Sequence, residues 1–233
     1  MLGAVDATPG CLISLEGGEG SGKTTQCGLL VDWLRALGVR VTTVREPGGT
    51  ELGERLRAVL LDPALPALRP ETEVLLFAAA RSEAVAGVIV PALRRGDVVV
   101  CDRYTDSSLA YQGFGLGAEL DFIRSVNAAI TGGVRPDLTL LFDVPRPVGV
   151  RRRQGASPDR IEGRPERYHE TVRRGYLALA AAEPDRFAIL DAARELGVVQ
   201  ADVRSAVDVA LTARGLGRPS PAPRGGGRRE ART

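Results

Sequence analysis

The sequence predicts an α/β domain, in which a five-stranded parallel sheet has helices on both faces. Three observations support this prediction. Short apolar or alternating runs, typical of strands, occur at 11–16, 39–45, 98–101, 138–142 and 187–190. Segments with helical periodicity separate these runs, so the strands should be parallel and joined by right-handed crossovers. A glycine-rich turn lies between the first strand and the first helix.

The glycine-rich turn has the pattern G-x-x-x-x-G-K-T. This is the P-loop pattern of P-loop NTPases, whose backbone N–H groups cradle phosphates at the start of a helix. Lys23 is the only lysine, and the other 30 basic residues are arginines. The single lysine therefore stands at the P-loop position, where a compact ammonium group fits among phosphate oxygens better than a planar guanidinium does. A glycine-rich turn that binds nothing is the alternative, but the strand before it and the helix after it favour nucleoside-triphosphate binding. The predicted binding residues are Gly17, Gly18, Glu19, Gly20, Ser21, Gly22, Lys23 and Thr24.

The remaining elements are predicted from periodicity and from turn residues. Gly38 should close the first helix, and Thr50 should cap the second. Helices are expected at 23–37, 51–61, 70–95, 104–112, 119–130, 146–155, 168–182 and 195–213, with glycines separating the fourth from the fifth. We predict a lead-in at 1–10, one domain at 11–213 and a disordered basic tail at 214–233.

Composition limits the classes of function. The net charge is only +2, which gives no global attraction to nucleic acid or to a membrane. The three cysteines, Cys11, Cys27 and Cys101, are widely spaced and should be buried thiols. The N-terminus lacks a signal-peptide pattern, and no run of about 18 apolar residues occurs. We therefore expect a cytoplasmic protein that binds neither membrane nor nucleic acid.

Polar residues follow several predicted strands, at the sheet edge where ligands bind in such folds. Asp102 follows an apolar strand, and we expect it to associate with magnesium together with Thr24. A helix cap is the alternative for Asp102, and it is the favoured interpretation for Asp143.

Two further stretches indicate nucleotide chemistry. Phe77 and Arg81 lie four residues apart, on one helix face, where they could stack on a base and bond to it. Taken alone, a core Phe77 and a surface Arg81 are the more ordinary interpretation. The loop after Arg151, Arg152 and Arg153 contains further arginines, glycine and proline. It is either a solvated basic loop or a mobile lid, at about 151–167, that supplies cations and excludes water.

Together these stretches resemble bacterial thymidylate kinases over roughly residues 11–212. The most specific matches are Glu-Pro-Gly-Gly-Thr at 46–50, Leu-Phe-Ala-Ala-Ala-Arg-Ser-Glu at 76–83, Asp-Arg-Tyr at 102–104, Ala-Tyr-Gln-Gly at 110–113 and Asp-Arg-Ile-Glu at 159–162. The resemblance implies transfer of the ATP γ-phosphate to dTMP, with Mg²⁺, by a homodimer. The residues it implies for acceptor binding are Glu16, Arg45, Glu46, Phe77, Arg81, Arg103, Ser107, Ser108, Tyr111 and Gln112.

In this family the transition-state arginine comes from the P-loop or from the lid. Residues 18–21 contain no arginine, so the resemblance implies the lid type. Arg160 and one or more of Arg151–Arg153 are the candidates, and Arg164, outside the matched motif, is a further one. The predicted catalytic residues are Lys23, Arg103, Arg153 and Arg160.

The main alternative is another P-loop nucleotide or deoxynucleoside kinase. A GTP-driven switch is excluded, because its Asn-Lys-x-Asp box needs a second lysine. The low net charge argues against a nucleic-acid-dependent ATPase or a non-catalytic nucleotide-binding module.

Overall fold

Residues 9–153 and 157–216 are described by a computed structural model. The predictions for most of the lead-in (1–8), for the middle of the lid (154–156) and for most of the tail (217–233) lie outside these residues.

The five predicted strands form one parallel sheet. Its strands are β1 (Cys11–Glu16), β2 (Val41–Arg45), β3 (Val98–Asp102), β4 (Leu138–Asp143) and β5 (Phe187–Asp191). Their order across the sheet is β2-β3-β1-β4-β5, and every pairing is parallel. The glycine-rich turn therefore lies at the carboxyl end of the central strand, flanked by the ends of β3 and β4.

The helices cover both faces, as predicted. They are α1 (Lys23–Ala36), α2 (Glu51–Leu61), α3 (Pro70–Ala84), α4 (Val90–Arg94), α5 (Thr105–Ser108), α6 (Leu120–Thr131), α7 (Arg146–Arg152), α8 (Glu166–Ala182) and α9 (Leu196–Ala213). Thr50 caps α2, because its hydroxyl accepts a hydrogen bond from Gly53 N at 3.0 Å. Gly38 follows α1 with φ +78°, a conformation that glycine adopts without strain.

Alternate side chains of the central strand β1 point to opposite faces of the sheet, as in any β-strand, and so pack into two different cores. Ile13 and Leu15 pack among side chains of α1 and α9. Leu12 faces the other side and packs against residues that follow α3, including Ile89 and Leu93. The whole strand is buried. Its continuous apolar run is thus explained by two covered faces.

Two π-helical segments were not predicted. Val85–Ile89 joins α3 to α4 in one continuous rod, and Leu109–Gly115 continues α5. The fourth helical stretch runs three residues beyond its predicted end at 112, because the chain stays helical through Gly113 and Gly115. The predicted break before the next helix falls at 116–119, where Gly117 has φ +78°. A Cβ on Gly115 would lie 2.6 Å from the Tyr168 ring, so glycine allows this segment to approach α8 closely. π-helical turns are frequent at functional sites.

One helical stretch within the described residues, Pro70–Arg94, has the length and composition that could cross a membrane. In its most apolar window, 44% of the residues are buried inside the protein. Ile89 and Leu93 belong to the core around Leu12 described above, and Val74 is buried in a further apolar cluster. The stretch is therefore built like a core helix.

Candidate active site

The P-loop wraps around the ammonium group of Lys23. Lys23 Nζ donates to Gly17 O at 3.0 Å, to Gly18 O at 2.8 Å and to Ser21 Oγ at 3.2 Å. The side chain is buried, and burial together with the positive charge of Arg103 lowers the pKa of Lys23 to about 8. The loop thus holds a desolvated cation at its centre, where it can bind an anion.

The P-loop also packs tightly against α7, the helix that leads into the predicted lid. Gly20 has φ +70° and lies against the backbone of Gly149. A Cβ on Gly149 would in turn come within 2.6 Å of Glu19 O. Glycine is needed on both sides of this contact, because any side chain would push the two backbones apart.

Two side-chain oxygen groups that could hold magnesium lie beside Lys23. Thr24 Oγ1 donates to Asp102 Oδ2 at 3.3 Å, across the ends of α1 and β3. Mg²⁺ favours such hard oxygen ligands and usually completes its shell with phosphates and water. No cluster of three His, Cys, Asp or Glu side chains occurs among the residues that the structure describes. The pair fits a magnesium ion that arrives with a nucleotide.

Asp143 does not cap α7, so that prediction was wrong. It accepts two hydrogen bonds from Arg173 on α8, at 2.6 Å from Nε and 2.8 Å from Nη2, and α7 has no side-chain cap. The bidentate geometry favours the arginine over a backbone N–H.

Arg103 is the one described non-glycine residue with a positive φ, +72°. Such strain persists only where the surroundings enforce it, and it is common at functional sites. Its Nη1 donates to Gly17 O at 3.0 Å, and its Nη2 to Tyr111 Oη at 3.1 Å. The guanidinium also lies over the Tyr111 ring, 4.9 Å from its centroid. A second fixed cation is thus placed next to the P-loop.

Glu16 is the buried carboxylate that holds the strained turn. It accepts hydrogen bonds from Tyr104 N at 2.7 Å, Ser107 Oγ at 2.6 Å and Tyr176 Oη at 2.8 Å. Burial and the charge of Asp106 raise the pKa of Glu16 to about 7, against the opposing effect of Arg103. Glu16 is therefore a support for the turn at 103–107.

A cleft of about 320 Å³ opens between these groups and helices α2 and α3. Predicted site residues line much of it: Glu19, Gly20, Lys23, Thr24, Arg45, Glu46, Phe77, Asp102, Arg103, Ser107 and Tyr111. Glu16, Arg81, Ser108 and Gln112 do not line this cleft and lie buried behind its wall. The structure thus brings the P-loop residues and most of the predicted acceptor residues to one place.

Arg81 is fully buried, contrary to the ordinary expectation of a surface arginine. Its Nε donates to Glu46 Oε2 at 2.7 Å, and its Nη1 donates to Asn127 Oδ1 at 2.7 Å and Ser108 Oγ at 3.0 Å. Nη2 donates to Tyr104 O at 3.1 Å. Phe77, one turn away, lines the cleft instead of lying wholly in the core.

The arginines of the predicted lid contact different partners. Arg153 pairs with Glu162, a residue that lines the cleft. Arg160 turns the other way, because its Nη1 donates to Glu73 at 2.6 Å and its Nε to Leu60 O at 2.8 Å. Arg164 pairs with the same carboxylate, that of Glu73. The structure does not bring Arg160 to the cleft.

Sequence reasoning missed several groups around the cleft. Arg57, Leu61 and Asp159 line it. His169 lies beneath the P-loop, with Nδ1 3.1 Å from Glu19 Oε2. Burial would raise the pKa of Glu19, but His169, Arg103 and Tyr111 outweigh it and hold this pKa well below its ordinary value. His169 is the only histidine in the chain, a signal that could have drawn attention to it.

A second cleft, of about 220 Å³, lies on the other side of the P-loop. Its walls come from the loop and α1 on one side and from 192–199 on the other. Arg152 also lines this cleft and donates to Ala192 O at 2.6 Å. This cleft adjoins Ser21 and Gly22, so a nucleotide held by the P-loop can extend into it.

A five-stranded parallel sheet with a P-loop after its central strand defines the class of P-loop nucleotide-binding proteins. Within that class, the family model for thymidylate kinase matches residues 15–203. The chain belongs to the thymidylate kinase family.

Individual relatives agree with this assignment. The thymidylate kinase of Pelotomaculum thermopropionicum is 49% identical over 206 residues, covering 88% of this chain and 95% of that protein. That of Deinococcus radiodurans is 50% identical over 200 residues, covering 85% and 96%. The crystal structure of Ehrlichia chaffeensis thymidylate kinase has a TM-score of 0.70 at 32% identity, covering 85% of this chain and 98% of that one. The predicted family and fold class are confirmed.

Proposed function

We propose that this chain transfers the γ-phosphate of ATP to dTMP and so forms dTDP for DNA precursor supply. One observation carries the proposal: the P-loop cation Lys23 and the strained cation Arg103 face a single cleft whose far wall bears Phe77. Such a cleft offers places for two phosphate groups and one base. The family's name supports dTMP as the acceptor.

Lys23, Thr24 and the backbone of residues 17–22 would hold the donor. Lys23 has three acceptors of its own, which it can exchange for phosphate oxygens. Mg²⁺ on Thr24 and Asp102 would neutralise charge on the phosphates. The second cleft, between α1 and residues 192–199, would receive the adenosine part of ATP.

The acceptor would lie against Arg103 and α3. Arg103 would hold the monophosphate, with Arg45 and Glu46 beside it. Phe77 would stack on thymine, while Arg81 would reach its carbonyl edge from behind the wall. Tyr111 would exclude a ribose 2′-hydroxyl, and Ser107, Ser108, Gln112 and Glu16 would shape and support this wall.

Phosphoryl transfer needs little beyond alignment and charge stabilisation, because the attacking atom is already an anionic phosphate oxygen. Lys23 and Arg103 supply two fixed cations. Arg153 is the lid arginine that we assign to the transition state, since its partner Glu162 lines the cleft. Exchange of Glu162 for phosphate would place the guanidinium on the reacting group.

A panel of acceptors tests the proposal. With ATP and Mg²⁺, dTMP should be phosphorylated with the highest kcat/KM among dTMP, dUMP, CMP, GMP and thymidine. Lys23→Ala should abolish turnover with every acceptor while keeping the fold, as judged by circular dichroism. Equal rates for dTMP and CMP or GMP, or a preference for thymidine, would favour a different P-loop kinase.

We also propose a homodimer that acts in the cytoplasm, where ATP and nucleoside monophosphates are found. Exposed apolar side chains lie on the neighbouring helices α2, α3 and α6: Leu52, Val59, Leu75 and Phe122. A second copy would cover such a surface. Light scattering coupled to size-exclusion chromatography should give a mass near twice 24.7 kDa, and Leu75→Glu should shift it to the monomer.

A further inference from the structure

Glu73 is a buried carboxylate outside the residues assigned above. It lies on α3, and its side chain is 0% exposed. Its Oε1 accepts from Arg160 Nη1 at 2.6 Å and from Arg164 Nη2, while its Oε2 accepts from Gln112 Nε2 at 3.3 Å. A buried carboxylate is tolerated only when it is paired. Both of its cations come from residues 159–164, which we call the returning limb of the lid.

Arg160 is fixed from two directions. Besides Glu73, its side chain bonds to Leu60 O at 2.8 Å, and its backbone N donates to Leu61 O at 3.2 Å. Only 6% of the side chain is exposed. These contacts fasten the returning limb to the end of α2 as well as to α3.

Arg164 ties the same limb to the acceptor wall. Its Nη1 donates to Tyr168 Oη at 2.7 Å, and its guanidinium lies 4.7 Å from the centroid of that ring. The Tyr168 hydroxyl in turn donates to Tyr111 O at 3.3 Å. The limb is thereby linked to the π-helical segment that carries Tyr111 and Gln112.

The position of Glu73 on α3 joins these contacts to the cleft. Glu73, Phe77 and Arg81 are spaced four residues apart, so they share one face of the helix. On the limb itself, Asp159, Ile161 and Glu162 line the cleft, while Arg160 points away from it. Fixing Arg160 therefore fixes which side of the limb faces the phosphates.

We propose that Glu73 is the anchor of the lid, a positioning residue that holds Arg160 and Arg164. The anchored limb presents Glu162, and through it Arg153, to the reacting phosphates. Arg160 then acts on the reaction through Glu73 and is not itself the transition-state cation. This proposal rests on the lid function assigned to Arg153 above.

The test compares Glu73→Gln, Arg160→Met and the double variant with the wild type. The matched control is Glu71→Gln on the same helix, whose half-exposed carboxylate pairs only weakly with Arg69 at 3.5 Å. Misplacing a catalytic group by about 1 Å can cost about 100-fold in rate. We expect Glu73→Gln and Arg160→Met each to lower kcat about 10- to 100-fold with the KM for ATP within about 2-fold. Hydrogen exchange should accelerate at residues 159–164 but not in β1.

The double variant separates positioning from direct contact. If Arg160 acts through Glu73, the double variant should be no slower than the slower single variant. A loss of about 1,000-fold or more in Arg160→Met, with Glu73→Gln near wild type, would identify Arg160 as a phosphate-contacting cation and overturn the anchor. The anchor proposal is also overturned if Glu73→Gln and the control Glu71→Gln have the same kcat and the same hydrogen exchange at residues 159–164.

Two controls keep the outcome decisive. If Glu73→Gln does not fold, Arg164→Gln takes its place, because it removes one of the two cations that pair with Glu73. Arg164→Gln should then show the faster hydrogen exchange at residues 159–164. Unchanged exchange would contradict the proposal that Glu73 anchors the lid. Failure of the wild type to phosphorylate dTMP would refute the proposed function. If the wild type phosphorylates dTMP at a normal rate and the Glu73 and Arg160 variants match it in rate and hydrogen exchange, only the anchor proposal is refuted.

Discussion

Replacing Arg81 with methionine should destabilise this protein strongly, because Arg81 and Glu46 form a buried ion pair. Their side chains are 2% and 3% exposed and lie 2.7 Å apart. Methionine has similar length but no charge, so it would leave Glu46 buried without its cation. Removing one member of such a pair costs about 3–5 kcal/mol. For a domain of this size, that corresponds to a fall in Tm of about 6–20 °C.

The pH dependence provides a second, independent signature. Burial already raises the pKa of Glu46 above its ordinary value, and Arg81 opposes this rise. Without Arg81, the folded-state pKa should rise further. The protonated carboxyl is easier to bury, so the loss of stability in Arg81→Met should be smaller at pH 5 than at pH 8.

Urea denaturation at both pH values measures the effect. The variants are Arg81→Met, Glu46→Gln and their double variant, with Arg69→Met as the control for an exposed pair. The double variant should lose less than the sum of the two single losses. A loss below about 1 kcal/mol for Arg81→Met, equal at both pH values, would refute the reasoning and make Arg81 only a ligand contact.

Three more predictions concern the site itself. Because the pKa of Lys23 is depressed to about 8, the cation is lost as pH rises through this value, and kcat/KM for ATP should fall above about pH 8; a flat profile to pH 9.5 would contradict this. Gly149→Ala places a Cβ 2.6 Å from Glu19 O. We expect it to lower the free energy of unfolding, measured with urea, by about 1–3 kcal/mol and to raise the KM for ATP. Gly197→Ala is the control, because the space around Gly197 is open, and it should change neither quantity. Phe77→Ala should raise the KM for dTMP about 10-fold or more with the KM for ATP unchanged, and an unchanged dTMP KM would return Phe77 to a purely structural role.

The sequence predicted the strands well because their signals are local. The strand predicted at 11–16 is observed as Cys11–Glu16, because a central strand is buried on both faces and its sequence is therefore mostly apolar. Thr50 was identified as a cap for a similar reason, since the capping bond spans only three residues. Local chemistry was decisive at both positions.

Side-chain partners were harder to predict because they are distant in sequence. Arg81 meets Glu46, 35 residues away, and Arg160 meets Glu73, 87 residues away. No periodicity indicates on which side of a lid an arginine will lie. The end of the π-helical segment Leu109–Gly115 was predicted too early for a related reason, because Gly113 allows a close approach to α6 and Gly115 to α8. Tertiary packing overrode the local glycine signal there.

The carbonyl of Gly17 brings together the two cations that we propose for the donor and acceptor phosphates. It accepts from Lys23 Nζ at 3.0 Å and from Arg103 Nη1 at 3.0 Å, so the two cations lie beside each other. Their repulsion contributes to the low pKa of Lys23. A phosphate group bound beside either cation would offset that repulsion and favour the protonated form of Lys23. Lysine suits the P-loop position because a compact ammonium fits within three close acceptors, whereas Arg103 needs a planar fork to reach Gly17 and Tyr111 at once.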